Sequence, residues 1–215
     1  MSVLVTKAED FLVMKLKENP YFFEQPHQLA YRLEHARRVA CIGRDIALGE
    51  GMDAEAIMVA CLLRDVAYSN TYVFEGDWIN HGRASSAIAE PFLKAMNLPP
   101  DKIQEIVHGI AIHVDDEAGF SGKRTLFPLS IGDADNIDRF GVYRIYESLH
   151  DMQFFKMELD EKIEKINARL KSIAARRQDV FATETARQIW LERIDFNTDF
   201  FTRLKCQLET SARLI

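Results

Sequence analysis

His35, Asp65, His81, His108, His113 and Asp135 are the side chains of this sequence best suited to hold a metal ion together. Imidazole nitrogen and carboxylate oxygen both suit Mn, Fe, Co, Ni or Zn, and carboxylates also suit Mg. A divalent ion on such a set lowers the pKa of a bound water and clamps a phosphoryl oxygen. One isolated histidine on a helix is usually a surface or satisfied core residue. Four in order, interleaved with two aspartates, form a much rarer pattern. Directly before Asp65 stands Arg64, whose guanidinium has no lone pair and stays protonated at any working pH. A positive charge about 4 Å from a divalent ion costs several kcal/mol even at an effective dielectric of about 20. The same short stretch therefore offers metal ligands and a cation that opposes a metal.

Helices must position these groups. Thr6 and Glu9 have capping-box spacing and open a first helix that runs to about Glu18, before Asn19-Pro20. A second, from about Gln25 to Leu48, carries Leu29, Leu33, Val39, Ile42 and Ile46 at mostly helical spacing, with His35 in its middle. Gly49-Glu50-Gly51 ends it, and Asp53 is the expected N-cap of the helix through Ile57, Cys61, Leu62 and Val66. Ala67 to Asn80 reads as a loop or lid with four aromatic residues. Further helices are expected from His81 to about Asn97, from about Asp101 to His113, and from about Pro128 to His150. Pro91 argues for a kink or short break in the first of these, and Asp115 to Arg124 reads as a second loop.

From Met152 onward Phe155, Leu159, Ile163, Ile166, Leu170 and Ile173 form one long stripe. Thr185 and Gln188 again have capping-box spacing, ahead of a final helix with Ile189, Trp190, Ile194, Phe200, Phe201, Leu204 and Leu208. The expectation is an all-α chain. Residues 1–150 would form the core, and residues 151–215 a helical hairpin packed on that core or on a second subunit as a homodimer.

The net charge of −6 excludes a general basic surface for nucleic acid or anionic lipid. Cys41, Cys61 and Cys206 form no CxxC pair and read as reduced core thiols. The N-terminus lacks the features of a signal peptide and no run is long enough to span a bilayer, so a cytoplasmic protein is expected.

Three segments carry a resemblance. They are Glu50-Gly51-Met52-Asp53 through Ala60-Cys61-Leu62-Leu63-Arg64-Asp65; His81-Gly82-Arg83-Ala84-Ser85-Ser86; and Ile131-Gly132-Asp133-Ala134-Asp135-Asn136-Ile137-Asp138. Over roughly residues 25 to 150 the chain resembles the HD-domain superfamily of metal-dependent phosphohydrolases, with Arg64 where the signature dipeptide has histidine. The resemblance implies an HD-domain helical bundle with a primary metal site on His35, position 64, Asp65 and Asp135. It also implies a second ion, bridged by Asp65 and held by His81, His108 and His113. Asp135 fits the last primary ligand better than Asp133, which with Asp138 would lie behind the ligands or cap a helix.

Arg64 leaves three outcomes open. It swings out and leaves a three-ligand site on His35, Asp65 and Asp135; or the metal shifts to Asp65, His81 and the His108/His113 pair; or Arg64 neutralises Asp65 and Asp135 and no metal binds.

Two functions follow from the resemblance, with a ligand-free helical scaffold as a third and plainer one. One is a metal-dependent phosphohydrolase (a phosphatase or phosphodiesterase) acting on a nucleotide or other small phosphoester. In it Asp65 is pivotal and Arg83 or Arg64 neutralises the transferring group. The other is a catalytically impaired protein that binds a phosphorylated ligand as a sensor or regulator. Arg83 is expected near a helix start, where an anion is favoured. Arg37 and Arg38 read as the solvated face of a long helix.

Overall fold

The computed structural model describes residues 2–70, 77–114 and 120–212, and every regular element among them is helical. The chain forms two compact units, Met1–Asp138 and Arg139–Ile215. The first holds α1 (Val3–Leu16), α2 (Pro20–Glu24), α3 (Pro26–Gly49), α4 (Ala54–Leu63), α5 (Asp77–Ala95), α6 (Pro100–Ile112) and α7 (Leu126–Asp138). A 3-10 turn at Val66–Ser69 follows α4.

Helix α4 is the centre of this unit. Ala56, Ile57, Val59, Ala60, Cys61, Leu62 and Leu63 are all buried, so it is apolar around nearly its whole circumference. A helix of that kind can only sit inside a core, and α1, α3, α6 and α7 pack around it. Each of its Ile and Leu side chains contributes roughly 1.5–3 kcal/mol by burial. The approach of α3 is close: a Cβ at Gly43 would meet Cys61 Sγ and Ile57 Cγ2, each at 2.7 Å. Between α3 and α4 the chain reverses through Gly51, which takes the left-handed φ of 67° that glycine adopts without strain. Asp53 then caps α4 as expected, accepting from the Ala56 amide at 3.0 Å.

Several boundaries differ from expectation. Ser2 caps α1 in place of Thr6, because the helix starts at Val3. Asn19-Pro20 breaks α1 and also begins the short α2, with Asn19 as cap and proline in the first turn. Helix α5 starts at Asp77 and carries Pro91 inside it, so His81 and Arg83 lie within the helix. The expected loops around 67–80 and 115–124 fall partly on residues 71–76 and 115–119, which lie outside the described residues; Phe120 to Thr125 are non-helical. The single helix expected from Pro128 to His150 is two, because α7 ends at Asp138 and Gly141 precedes the next helix.

The second unit contains α8 (Val142–Asp151), a 3-10 turn at Phe154–Lys156, α9 (Leu159–Arg176) and α10 (Glu184–Ala212). Helix α9 starts later than the apolar stripe does, because Gln153 turns left-handed at φ 52° and interrupts it. Thr183, not Thr185, caps α10 by accepting from the Ala186 amide. Helices α9 and α10 run antiparallel: Trp190 Nε1 donates to Arg176 O, and farther along Arg169 lies over the Phe201 ring. Ile166, Ile173, Trp190, Ile194 and Phe201 are buried between them and their neighbours. Of the cysteines only Cys61 is buried; Cys41 and Cys206 are exposed, and all three are free. No helix among the described residues is long and apolar enough to cross a membrane.

Candidate metal centre

The C-terminal end of α4 delivers Arg64 and Asp65 into the interior. The last turn of a helix leaves carbonyls without partners and carries a partial negative charge. Arg64 meets both demands, since its Nη1 donates to Cys61 O at 2.8 Å. The rest of the guanidinium, fully buried, reaches across to α3 and α7. Nη2 donates to Asp135 Oδ1 at 2.7 Å and lies 2.5 Å from His35 Nε2 and 3.3 Å from Asp65 Oδ2; Nε is 3.2 Å from Asp135 Oδ1. Arg64 thus sits among the three side chains that would share a first metal ion with position 64. That metal does not fit these residues: a permanently charged donor fills the point where an ion needs lone pairs.

Behind His35, Asp138 Oδ2 lies 2.7 Å from Nδ1, and Arg38 donates from Nε to Asp138 Oδ1 at 3.0 Å. The carboxylate fixes the His35 tautomer with its proton on Nδ1, so Nε2 accepts from Arg64. Burial raises the Asp135 carboxyl, but the Arg64 charge outweighs it and holds the group far below the usual range. For Asp138, burial is likewise outweighed by hydrogen bonds from His35 and Arg38. Burial opposes the charge on Arg64 too, but Asp65 and Asp135 raise its pKa further. The neighbouring Cys61 thiol is pushed up to about 12, chiefly by burial, and takes no part.

The other oxygen of Asp65 faces a second cluster. His81 Nε2 lies 3.1 Å and His113 Nε2 3.5 Å from Asp65 Oδ1, and the two nitrogens are 3.2 Å apart. His113 Nδ1 lies 2.7 Å from Ile110 O, an oxygen that can only accept, so that proton sits on Nδ1 and Nε2 presents a lone pair. Burial raises the Asp65 carboxyl, but the neighbouring Arg64 charge outweighs it and holds the group well below its usual value. Asp65, His81 and His113 are a group whose donor atoms lie close enough together to hold one metal ion. Ligands bonded to one ion at about 2.1 Å stand roughly 3.0–3.5 Å from each other, so the donors need little rearrangement.

Expected site residues divide accordingly. Arg64, Asp65, His35, Asp135 and Asp138 converge on one side, and His81 and His113 meet Asp65 on the other. His108 does not join them. Five residues along α6 turn it by about 140° from His113. It lines a separate cleft of about 650 Å³ with Gln104, Glu105, Gly122 and Lys123. Its ring stacks near Phe120, and among the described residues its buried Nε2 has no hydrogen-bond partner. Arg83 bonds Asn80 Oδ1 on the surface; two residues from His81 on a helix means nearly the opposite face, and α5 begins six residues earlier. Asp133 is half-buried on α7, outside both clusters. Sequence reasoning missed Arg38, whose spacing of three from His35 was the available signal. It also missed Tyr68, whose ring packs 5.3 Å from that of His81.

A carboxyl whose folded pKa lies below its unfolded one stabilises fully above the unfolded value, and that contribution is lost as pH falls through the folded one. Asp65, Asp135 and Asp138 are all of this kind. Stability is therefore expected to hold from neutral pH down to about 5 and to fall steeply below about 4. Urea titrations at stepped pH should show the acid limb flattened, and neutral stability lowered, in Asp138→Asn. An acid limb identical to the native one would contradict this account of Asp138.

Comparison with known proteins agrees with this architecture. A solved structure described as a predicted HD superfamily hydrolase, from an uncultured Thermotogales bacterium, superposes with a TM-score of 0.60 at 19% identity. The match covers 92% of this chain and 91% of that one, and at that identity it bears on the fold alone. No curated protein matches the chain. The family model for the HD domain matches residues 32–174, well over half of the sequence and including every residue of both clusters, and the chain belongs to the HD domain family.

Proposed function

We propose that this chain is a phosphohydrolase that works with one divalent metal ion, held by Asp65, His81 and His113, on a nucleotide or another small phosphoester. In this reading Arg64 takes the place of the histidine of the family's signature dipeptide and substitutes a fixed charge for the first ion. The observation that carries it is the convergence of two imidazole nitrogens and a carboxylate oxygen within 3.1–3.5 Å in the interior. Three protein ligands with a further position open is the arrangement of catalytic metal sites, and one carboxylate with two imidazoles suits Mn, Fe, Co, Ni or Zn.

A divalent ion there would supply Lewis acidity towards a phosphoryl oxygen and towards water. The chain's own residues do the positioning. Ile110 O fixes the His113 tautomer, so its lone pair faces the other two donors. Arg64 keeps Asp65 ionised and bonds Asp135, so the two carboxylates can lie close without repelling each other. Asp138 and Arg38 lock His35 against Arg64, making the wall of the centre rigid.

A second reading, a catalytically impaired protein that binds a phosphorylated ligand, is favoured by one observation. Arg64 is fully buried and turns its donors onto protein acceptors, as a structural replacement for a metal would. Elemental analysis separates the two. Protein purified without chelator is expected to carry one ion per chain, and Asp65→Ala to carry none. The native protein should hydrolyse phosphoesters with manganese and stop on chelation. No metal in the native protein, even after soaking in manganese, would leave the second reading standing and remove the first.

A further inference from the structure

Arg32 lies on α3 one turn before His35, half-buried, and among the described residues it has no carboxylate partner. The other cations around the centre are engaged: Arg64 with Asp135 and Asp65, Arg38 with Asp138, and Arg37 with Glu9. The Arg32 guanidinium stacks 3.7 Å over the Tyr68 ring. Tyr68 in turn packs against His81, so one aromatic ring touches both Arg32 and the candidate metal centre. Stacking and a side-chain hydrogen bond to Tyr68 hold the guanidinium plane, and its five N–H donors exceed what that one bond uses.

The guanidinium borders a cleft of about 250 Å³ lined by Asn19, Tyr21, Gln28, Arg32, Tyr68 and Asn70. Asn19 braces the cleft by donating to Tyr68 O at 2.9 Å and Asn70 O at 3.1 Å, two part-buried hydrogen bonds. Its lining of aromatic rings, amides and one cation suits an organic phosphate: the rings and amides face the organic part, and the arginine faces the anion.

Charge indicates which anion. Asp65, Asp135 and Asp138 are offset by Arg64 and Arg38, which leaves one negative charge over. A divalent ion reverses this to one positive charge, and Arg32 adds a second. Two positive charges match the dianion of a phosphate monoester better than the monoanion of a diester.

We propose that Arg32 binds the substrate's phosphate at the mouth of the metal centre, and that the substrate is a phosphomonoester whose organic group occupies the adjoining cleft. This rests on the metal-dependent reading above. Calorimetry with inorganic phosphate on manganese-loaded protein should show binding at least about tenfold weaker in Arg32→Gln than in the native chain, with Arg32→Lys between them. Metal content should be equal in all three. The native protein gives a second measurement that needs neither a variant nor turnover: inorganic phosphate should protect Arg32 from labelling by phenylglyoxal, read by mass spectrometry. Equal phosphate affinity in Arg32→Gln, or labelling of Arg32 indifferent to phosphate, would overturn the proposal. Loss of the ion from the native protein would instead strike the metal-dependent reading, and the labelling experiment would still decide on Arg32.

Discussion

Arg64→Leu is expected to destabilise the protein by about 3–5 kcal/mol, the cost of removing one partner from a buried ion pair. The guanidinium is fully buried and serves the Cys61 carbonyl, Asp135, Asp65 and His35 at once. Leucine fills much of the space but leaves two carboxylates near each other without a counter-charge, and a helix-terminal carbonyl without a donor. For a chain of this size the melting temperature should fall by roughly 10 °C or more. The loss should depend on pH in a definite sense. Without Arg64 the Asp65 and Asp135 carboxyls rise above their unfolded pKa, so their unfavourable contribution grows as pH rises and shrinks as they protonate. Arg64→Leu should therefore lie closer to the native stability at pH 5 than at pH 8. A thermal melt within a degree of native at pH 8 would show that the carboxylates do not depend on this cation.

Arg64→His should turn the first cluster into a metal site. Imidazole supplies the lone pair that guanidinium lacks, and His35 Nε2 with Asp135 and Asp65 is already assembled around position 64. Without metal the variant should be destabilised for the same reason as the leucine variant. With manganese at about 100 times its dissociation constant it should regain roughly 2.7 kcal/mol, and elemental analysis should find one more ion per chain than in the native protein. A melting temperature indifferent to manganese would mean that Arg64 is not what keeps an ion from this position. The two variants read different things: leucine reports how much the cation stabilises the fold, and histidine whether its neighbours form a ligand set.

The helical class was legible because apolar residues recur at helical spacing through nearly the whole chain, and Asp53 showed where the central helix begins. Helix starts were less legible. Thr6-Glu9 and Thr185-Gln188 have capping-box spacing, yet Ser2 and Thr183 cap those helices. A cap is chosen by where packing begins the helix, and several Ser or Thr residues nearby meet the local requirement equally well. The break between Asp138 and Gly141 was lost for a similar reason, since the apolar spacing carries on across it.

For the site, sequence alone determined the inventory: ordered histidines, Asp65 and Asp135, and a cation among them that cannot be a ligand. Those are properties of side-chain chemistry and need no coordinates. Only the tertiary structure decided how they group. Arg64 meets Asp135 from 71 positions away and His35 from 29, so the cation's partners depend on how α3, α4 and α7 pack. His108 and His113 are close in sequence but part company because a helix turns them to different faces. Arg32 looks like any charged residue on a long helix until Tyr68, brought beside it by the fold, gives it a fixed orientation next to the centre. Residue type sets what a group can do, whereas helix rotation and long-range packing set which groups do it together.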